Sequence, residues 1–295
     1  MAKKKTIGLV LGSGGARGWA HVGVLKALRE KGVKPDIVVG TSIGSIIAAV
    51  HAEGKLDEVL DFAAGMDWAR SIKLFFEIGI HRDGLLTGVR VMECLKGFLP
   101  TDDIGKLPIP YAAVATDLDT GKPVVLDSGS LLDAIRASIS IPGIFTPVKR
   151  DGKTLIDGGM SSPVPIWLAR KMGAEQVIAV NIDTNAKCPY TVEKPRKSTA
   201  VSEFSERVWN HWRENMPALD EMFQEMRSGQ SLADVLLKTT RIAENRIAEE
   251  EVRRTPPDIL IEPPVGDIAT MDFSRAADAI RAGYEATNSA LDQKL

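Results

Sequence analysis

Short apolar runs alternate with stretches of helical periodicity over the first 185 residues. Apolar and β-branched runs of a few residues predict strands, and apolar positions spaced by three and four predict helices. The predicted strands are 7–11, 37–39, 111–115, 124–126, 155–156 and 177–182, and the predicted helices are 20–28, 43–52, 131–138 and 167–172. This alternation predicts a three-layer α/β/α fold, in which a mostly parallel central sheet is covered by helices on both faces.

From residue 185 onward, the pattern is mostly helical. A polar loop leads into two amphipathic stretches, one from Val208 to Met226 and one from Leu232 to Ile247. Two prolines end the second stretch, Ile259–Ile261 predicts a late strand, and a closing helix follows. We therefore predict three parts, which are a core over 6–182, a helical insertion or cap over 199–254, and a segment over 255–290 that returns the late strand and the closing helix to the core.

Composition excludes several classes of protein. Of the 295 residues, 44% are hydrophobic and 26% are charged, which is typical of an ordinary globular protein. The net charge of −2 argues against a broad nucleic-acid surface, so no nucleic-acid partner is expected. The two cysteines, Cys94 and Cys188, stand outside any metal-ligand spacing, which argues against a disulfide framework and against a zinc site.

The N-terminus resembles the start of a secretory signal. Three lysines precede the apolar run 7–11, but glycines interrupt that run, and no segment reaches the roughly 18 apolar residues of a membrane-spanning helix. A buried first strand explains the run better. We expect a cytoplasmic protein, with the inner membrane surface as its candidate peripheral location.

The first candidate motif is the turn Gly12–Gly18, GSGGARG, between the first predicted strand and the first predicted helix. A glycine-rich turn at a helix N-terminus exposes backbone N–H groups that stabilise an anion. A dinucleotide fingerprint would need Gly or Ala where this chain has Arg17, so that motif is not met. An anion site and a plain tight turn both remain open at this point.

The second and third motifs each follow a predicted strand. Ser42 is the central residue of GTSIG, 40–44, which comes after a β-branched run and opens a helix, the context that a nucleophile elbow requires. Asp157 begins the sequence DGG directly after the strand 155–156, where side chains point into the crevice at the carboxyl ends of the strands. Structural turns are the alternative explanation for both motifs.

Activation of a serine needs a base. The chain has four histidines, which are His21, His51, His81 and His211. Only His211 follows Asp157, as a Ser–Asp–His order would require, and it lies on the Trp-rich amphipathic stretch. His51 lies about 13 Å from Ser42 along the predicted helix, too far to reach the hydroxyl. The histidines therefore favour a Ser–Asp dyad over a triad.

Taken together and in this order, the glycine turn, the GTSIG elbow and the DGG acid resemble the patatin-like phospholipases. The resemblance extends to the further segments 113–118, 134–143, 163–165 and 256–261, and to Asp272-Phe273. The late segments resemble bacterial members of the family that are related to neuropathy target esterase. The motif core covers 6–182, and a looser similarity runs nearly to the C-terminus.

The resemblance implies a site residue by residue. Ser42 would be the acyl nucleophile, Asp157 its base, and the backbone N–H groups of Gly14, Gly15 and Arg17 the oxyanion hole. Glycines that would support these motifs are Gly12, Gly18, Gly40, Gly44, Gly158 and Gly159. The family needs no cofactor and no metal, and its substrates are lipid or acyl esters. Many relatives have a further glycine at the position of Ser13, a difference that we expect to change the turn only slightly.

A Ser–Asp dyad needs an unusual carboxylate, because a carboxylate is ordinarily a weak base. We expect Asp157 to have a raised pKa or a very short contact to Ser42. Candidates for an apolar lining that would raise the pKa are Ile141, Ile144, Phe145 and Ile156.

The predicted function is a serine acyl hydrolase of the lipid esterase, phospholipase or lysophospholipase type. Two alternatives stay open, a short-chain esterase without a membrane role and a regulatory or scaffolding protein that retains the fold. The segment 199–254 carries Trp209, Met216 and Phe223 on one helical face. This face is a candidate surface for peripheral membrane contact or for homo-oligomerisation, and packing against the core is the alternative.

Overall fold

The computed structural model of the protein describes residues 5–67, 70, 86–183 and 232–293. The strands are β1 (Ile7–Leu11), β2 (Ile37–Thr41), β3 (Tyr111–Asp117), β4 (Pro123–Leu126), β5 (Val148–Arg150), β6 (Lys153–Asp157), β7 (Gln176–Val180) and β8 (Ile259–Ile261). The helices are α1 (Trp19–Glu30), α2 (Ile43–Ala52), α3 (Leu56–Ala64), α4 (Val89–Phe98), α5 (Leu131–Ser138), α6 (Ile166–Lys171), α7 (Leu232–Arg254) and α8 (Ala276–Asp292). Short 3-10 turns include Gly15–Gly18, before α1, and Gly158–Met160, after β6.

These eight strands form one mixed sheet in the order β5-β6-β3-β2-β1-β7-β8, with β4 paired to β3 off this path. The pairs β3-β2, β2-β1, β1-β7 and β7-β8 are parallel, whereas β4, β5 and β6 form antiparallel pairs. The late strand β8 pairs with β7 and so joins the main sheet.

The antiparallel end of the sheet brings two strand ends together. β2 pairs with residues 111–114 of β3 and β4 pairs with residues 113–116, so these two strands lie on opposite edges of β3. β6 pairs with residues 115–117, which overlaps with β4, and β6 therefore shares the edge that β2 occupies. Because β2 is parallel and β6 antiparallel to β3, their carboxyl ends meet head to head at Val114 and Ala115.

Helices cover both faces of the sheet, because successive side chains of each strand point to opposite sides. Leu9 and Leu11 of β1 face a core that α1, α2, α5 and α8 help to form, while Val10 faces a second core with α6 and with Ala248 of α7. The predicted three-layer α/β/α architecture is confirmed. Among the helices described, none is both long enough and apolar enough to span a membrane.

Most predicted strands and helices are found close to their predicted bounds. The structure has three further elements that the sequence pattern did not predict. Ile43–Ala52, Leu131–Ser138 and Ile259–Ile261 match residue for residue. The prediction lacks α3, α4 and β5. The sequence of β5 is too polar to form an apolar run. The turn that follows it, Asp151-Gly152, has the positive φ values (50° and 74°) of a two-residue hairpin, so an Asp-Gly signal was present.

The face that α7 buries is not the one that its apolar residues predict. Val235 and Ile242 are 51% and 65% exposed, whereas Arg241, Glu244 and Ala248 are buried. The helix is present as its periodicity predicts, but polar side chains make much of its contact with the fold. The first amphipathic stretch lies outside the described residues, so the division into 6–182, 199–254 and 255–290 stays a prediction.

Candidate active site

The turn between β2 and α2 holds Ser42 in a conformation that residues with side chains rarely adopt. Its φ is 55° and its ψ is −126°, and such a backbone costs about 1–3 kcal/mol. The flanking glycines are required by close approach, because a Cβ on Gly44 would meet the carbonyl group of Leu11 and a Cβ on Gly40 would meet the backbone of Gly44. The local structure is therefore the sharp strand–turn–helix that the spacing of 40–44 predicts.

Neighbouring hydroxyl groups hold the backbone of Ser42 in place. The Ser42 N–H donates to Ser138 Oγ at 2.9 Å, and the Ser138 hydroxyl donates to the carbonyl oxygen of Val114 at 2.6 Å. The carbonyl oxygen of Ser42 accepts a hydrogen bond from the Ser45 hydroxyl at 2.6 Å. These contacts fix the turn against α5 and β3.

The hydroxyl of Ser42 donates to Asp157 Oδ2 at 2.5 Å. The other carboxylate oxygen, Oδ1, accepts from the backbone N–H of Gly159 at 2.8 Å. Asp157 is 1% exposed, and its burial raises its pKa from 3.8 to about 7, although the hydrogen bonds from Ser42 and Gly159 act in the opposite direction. The raised pKa makes the carboxylate a better proton acceptor, and the short contact places it within reach of the hydroxyl proton.

The glycine turn lies beside Ser42. Gly14 and Gly15 have φ values of 152° and 58°, in the region that favours glycine. Neighbouring N–H groups, those of Gly12, Ser13 and Ala16, donate to the carbonyl groups of Val180, Pro163 and Thr270. Within the described parts of the chain no acceptor bonds to the N–H of Gly14 or Gly15, and both glycines line a pocket with Ser42. Their N–H groups are therefore available to a ligand in that pocket.

The side chain of Arg17 anchors this turn. It is 1% exposed, donates to the carbonyl oxygen of Ile268 at 3.0 Å and pairs with Asp183 at 3.1 Å. Arg241 of α7 pairs with the same oxygen of Asp183 at 2.9 Å. The guanidinium group of Arg17 thus holds the turn against the segment after β8 and, through Asp183, against α7.

The described histidines lie apart from the Ser42–Asp157 contact. His21 is fully buried in α1, and its Nε2 forms a 2.9 Å hydrogen bond with the carbonyl oxygen of Gly12. Burial lowers the pKa of His21 to about 4, so the neutral ring donates from Nε2 and supports the glycine turn. Burial also lowers the pKa of His51 on α2. Two histidines lie outside the described residues, His81 and His211.

α7 contributes to a small polar pocket over Ser42 and Asp157. The pocket has about 310 Å³ of empty volume, and its lining includes Gly14, Gly15, Arg17, Thr240, Arg241 and Glu244. The sequence motifs did not predict the contributions of α7 and of Asp183. One signal was available in the sequence. The charged residues at 241, 244 and 251 recur on one face of a helix. No group of three or more His, Cys, Asp or Glu in the described part of the chain could hold a metal ion.

A larger, apolar pocket also reaches Ser42. It has about 870 Å³ of empty volume, and apart from Gly15, Ser42 and Cys94 its lining is apolar, including Ile43, Val59, Phe62, Val91 and Phe98. Of the four predicted lining residues, Ile141 and Phe145 line this pocket, whereas Ile144 and Ile156 pack elsewhere in the structure. Ile141 and Ser42 line both pockets. Ser42 therefore stands where a polar and an apolar pocket join.

The known proteins whose sequences are similar to this chain carry the names of one protein family. The family model of patatin-like phospholipases matches residues 9–170, more than half of the chain. An NTE family protein of Mycobacterium bovis is 31% identical over 97% of this chain and 91% of its own length. The human patatin-like phospholipase domain-containing protein 6 is also 31% identical, over 95% of this chain but only 20% of that longer protein.

A solved structure has the same fold. The crystal structure of VipD from Legionella pneumophila matches 98% of this chain and 67% of its own, with a TM-score of 0.52 and 16% sequence identity. At this level of identity, the similarity concerns the fold alone.

Proposed function

The chain belongs to the patatin-like phospholipase family, and on that premise we propose that it is a serine acyl hydrolase of lipid esters, with Ser42 as nucleophile and Asp157 as general base. The observation that carries the proposal is the 2.5 Å hydrogen bond from Ser42 Oγ to Asp157 Oδ2. A serine hydroxyl is a weak nucleophile until an adjacent group takes its proton. Here that group is a buried carboxylate in direct contact with the hydroxyl.

In the first half of the reaction, Ser42 Oγ attacks the carbonyl carbon of the ester, and the hydroxyl proton passes to Asp157 Oδ2. The carbonyl oxygen becomes an oxyanion, which the N–H groups of Gly14 and Gly15 stabilise. The bond between the carbonyl carbon and the alcohol oxygen then breaks, and the alcohol leaves with the proton from Asp157. The acyl group remains as an ester of Ser42.

The second half repeats these steps with water. A water molecule attacks the acyl ester while Asp157 takes its proton, and the same N–H groups stabilise the second oxyanion. The bond to Ser42 Oγ breaks, Ser42 recovers its proton from Asp157, and the carboxylic acid leaves. A pKa of about 7 suits Asp157 to both directions of transfer, because a general base works best when its pKa lies near the working pH.

The apolar pocket supports a lipid substrate. It reaches Ser42 and Ile141, so an acyl chain can enter it while the ester carbonyl stays beside Ser42. Each methylene buried there contributes about 0.8 kcal/mol to binding. The polar pocket then faces the alcohol side of the ester.

A fluorophosphonate probe tests the nucleophile. Wild-type protein should be labelled covalently, and Ser42→Ala should lose both the label and the esterase activity while keeping its fold. Ser274→Ala is the matched control, because the Ser274 hydroxyl also donates to an aspartate, Asp272, at 2.6 Å but within a local turn. Labelling that persists in Ser42→Ala, or that disappears in Ser274→Ala, would move the nucleophile elsewhere.

A lipid panel read by mass spectrometry tests the substrate class. Release of fatty acid from phospholipid, lysophospholipid or acylglycerol supports lipid hydrolysis, and turnover of short esters alone would favour the short-chain esterase. Absence of labelling and of all turnover would favour a regulatory protein that retains the fold. Sedimentation with vesicles of the same lipids, with and without residues 199–231, tests peripheral membrane contact through the first part of the proposed insertion 199–254.

A further inference from the structure

A second carboxyl group, that of Glu244 on α7, enters the polar pocket that Ser42 and Asp157 line. Glu244 is 9% exposed, and its Oε2 accepts a hydrogen bond from the Ser13 hydroxyl at 3.4 Å. Its Oε1 lies so close to Gly159 that a Cβ there would be 2.5 Å away. The N–H of the same Gly159 donates to Asp157. Glu244 thus covers the glycine that holds the catalytic carboxylate.

The charges around Glu244 come from α7 itself and from three other parts of the fold. Arg17 of the glycine turn and Arg241 of α7 share one carboxylate, that of Asp183 after β7. These three side chains leave one surplus positive charge, and two further carboxyl groups, Asp157 and Glu244, face it. Two ionised carboxylates would leave a net negative charge in a buried pocket, which is costly. We therefore expect one of the two groups to hold a proton over a range of neutral pH.

Glu244 is the group better suited to stay neutral. Its burial raises its pKa well above the ordinary value, and the neighbouring Asp157 and Asp183 raise it further, against the opposing effects of Arg17 and the Ser13 hydroxyl. Asp157, by comparison, accepts two strong hydrogen bonds, from Ser42 and Gly159, that favour its ionised form.

We propose that Glu244 is a positioning residue of the acyl-hydrolase site, a carboxyl group that supports the reaction in its neutral form and stops it when it ionises. The inference rests on the proposed function. Gly14 and Gly15, whose N–H groups would bind the oxyanion, line the same pocket as Glu244. A negative charge on Glu244 would face that developing oxyanion and raise the barrier to its formation.

The pH dependence of kcat/KM tests this role, measured with a soluble butyrate ester. The wild type should show a bell-shaped profile that rises as Asp157 ionises and falls by about tenfold per pH unit once Glu244 ionises. Glu244→Gln keeps the shape of the side chain and removes its titration, so it should keep the rise and lose the alkaline fall. A merely structural role would change the height of the profile and leave its alkaline limb in place.

Glu251→Gln is the matched control. Glu251 lies on the same face of α7, burial raises its pKa to about 7, and it accepts hydrogen bonds from the Ser162 hydroxyl and, at 2.9 Å, from the N–H of Val164. It does not line the pocket over Ser42, so this variant should keep the alkaline fall. Any of three results would overturn the role of Glu244. The wild type could lack the alkaline limb, Glu244→Gln could keep it, or Glu251→Gln could lose it.

Infrared spectroscopy supplies a readout that needs no turnover. The wild type at neutral pH should show a protonated-carboxyl band that weakens in Glu244→Gln. An unchanged band in an enzyme that hydrolyses esters would overturn the role of Glu244 and leave the proposed function standing. A wild type that neither hydrolyses esters nor reacts with the fluorophosphonate would instead overturn the proposed function, and the role of Glu244 with it.

Discussion

Ser42 and Asp157 stand 115 residues apart in the chain and are joined by a 2.5 Å hydrogen bond, because the strands that precede them end head to head on one edge of β3. The last residue of β2, Thr41, pairs with Val114, and Asp157 at the end of β6 pairs with Ala115. On the same edge, a β6 strand parallel to β3 would turn its amino end toward β2 and its carboxyl end away from Ser42. The antiparallel direction of β6 instead aims its carboxyl end at the turn that carries Ser42.

The strained backbone of Ser42 predicts an unusual order of stabilities. Ser42→Gly and Ser42→Ala both remove the hydroxyl, but only glycine adopts a φ of 55° without strain. We expect Ser42→Gly to be more stable than Ser42→Ala by about 1 kcal/mol. This difference is the strain energy that glycine relieves, minus the cost of its larger chain entropy in the unfolded state. Urea unfolding of the two variants checks this. Equal midpoints would show that the turn relaxes in the absence of the hydroxyl.

Asp157→Asn should abolish turnover and yet stabilise the protein at alkaline pH. The folded-state pKa of Asp157 is raised from 3.8 to about 7, so the wild type loses stability as the pH rises through this window, and the loss is complete above pH 7. The neutral amide of the variant does not titrate, so the variant keeps the unfolding free energy that the wild type loses, on the order of a few kcal/mol. Melting temperatures of both proteins from pH 4 to pH 9 provide the measurement. A gain that is largest at acid pH would contradict the raised pKa.

Gly15→Ala should lower kcat much more than a comparable glycine substitution elsewhere. At a φ of 58°, the new Cβ would lie 2.6 Å from Cγ2 of Thr270 and would displace the N–H proposed for the oxyanion hole. Loss of one such donor typically lowers kcat by about 10²–10³. Gly121→Ala is the control, because Gly121 also has a positive φ (67°) with no atom near its Cβ position. Similar kcat values for the two variants would remove Gly15 from the oxyanion hole.

The apolar pocket predicts that a bulky substitution at Cys94 shortens the preferred acyl chain. Cys94→Trp would fill part of the pocket that this side chain lines with Phe62 and Phe98. We expect kcat/KM for palmitate esters to fall at least tenfold while turnover of butyrate esters is retained. Val89→Trp on the same helix is the control, since Val89 is 53% exposed and outside the pocket. An equal loss on both esters would show damage to the fold rather than to chain binding.

Local signals predicted the backbone around the candidate site residues well. The apolar run before Ser42 and the glycines on both sides of it were enough to predict a strand, a sharp turn and a helix, because steric limits on the backbone act within a few residues. The same holds for the glycine turn, where Gly14 and Gly15 adopt φ values that favour glycine. Local pattern failed at β5, whose polar sequence becomes a strand through pairing with β6.

The sequence by itself determined the alternation of strands and helices, the positions of Ser42 and Asp157 at the ends of two strands, and the family to which those motifs belong. Only the tertiary structure decided that the two strand ends meet on one edge of β3, and that α7 brings Arg241 and Glu244 into the polar pocket. Hydrophobic periodicity could not predict the second result, because α7 buries polar side chains whose partners, Asp183 and Ser13, are distant in the chain. Strand direction and the partners of buried charged side chains depend on the whole fold, so a local pattern in the sequence does not specify them.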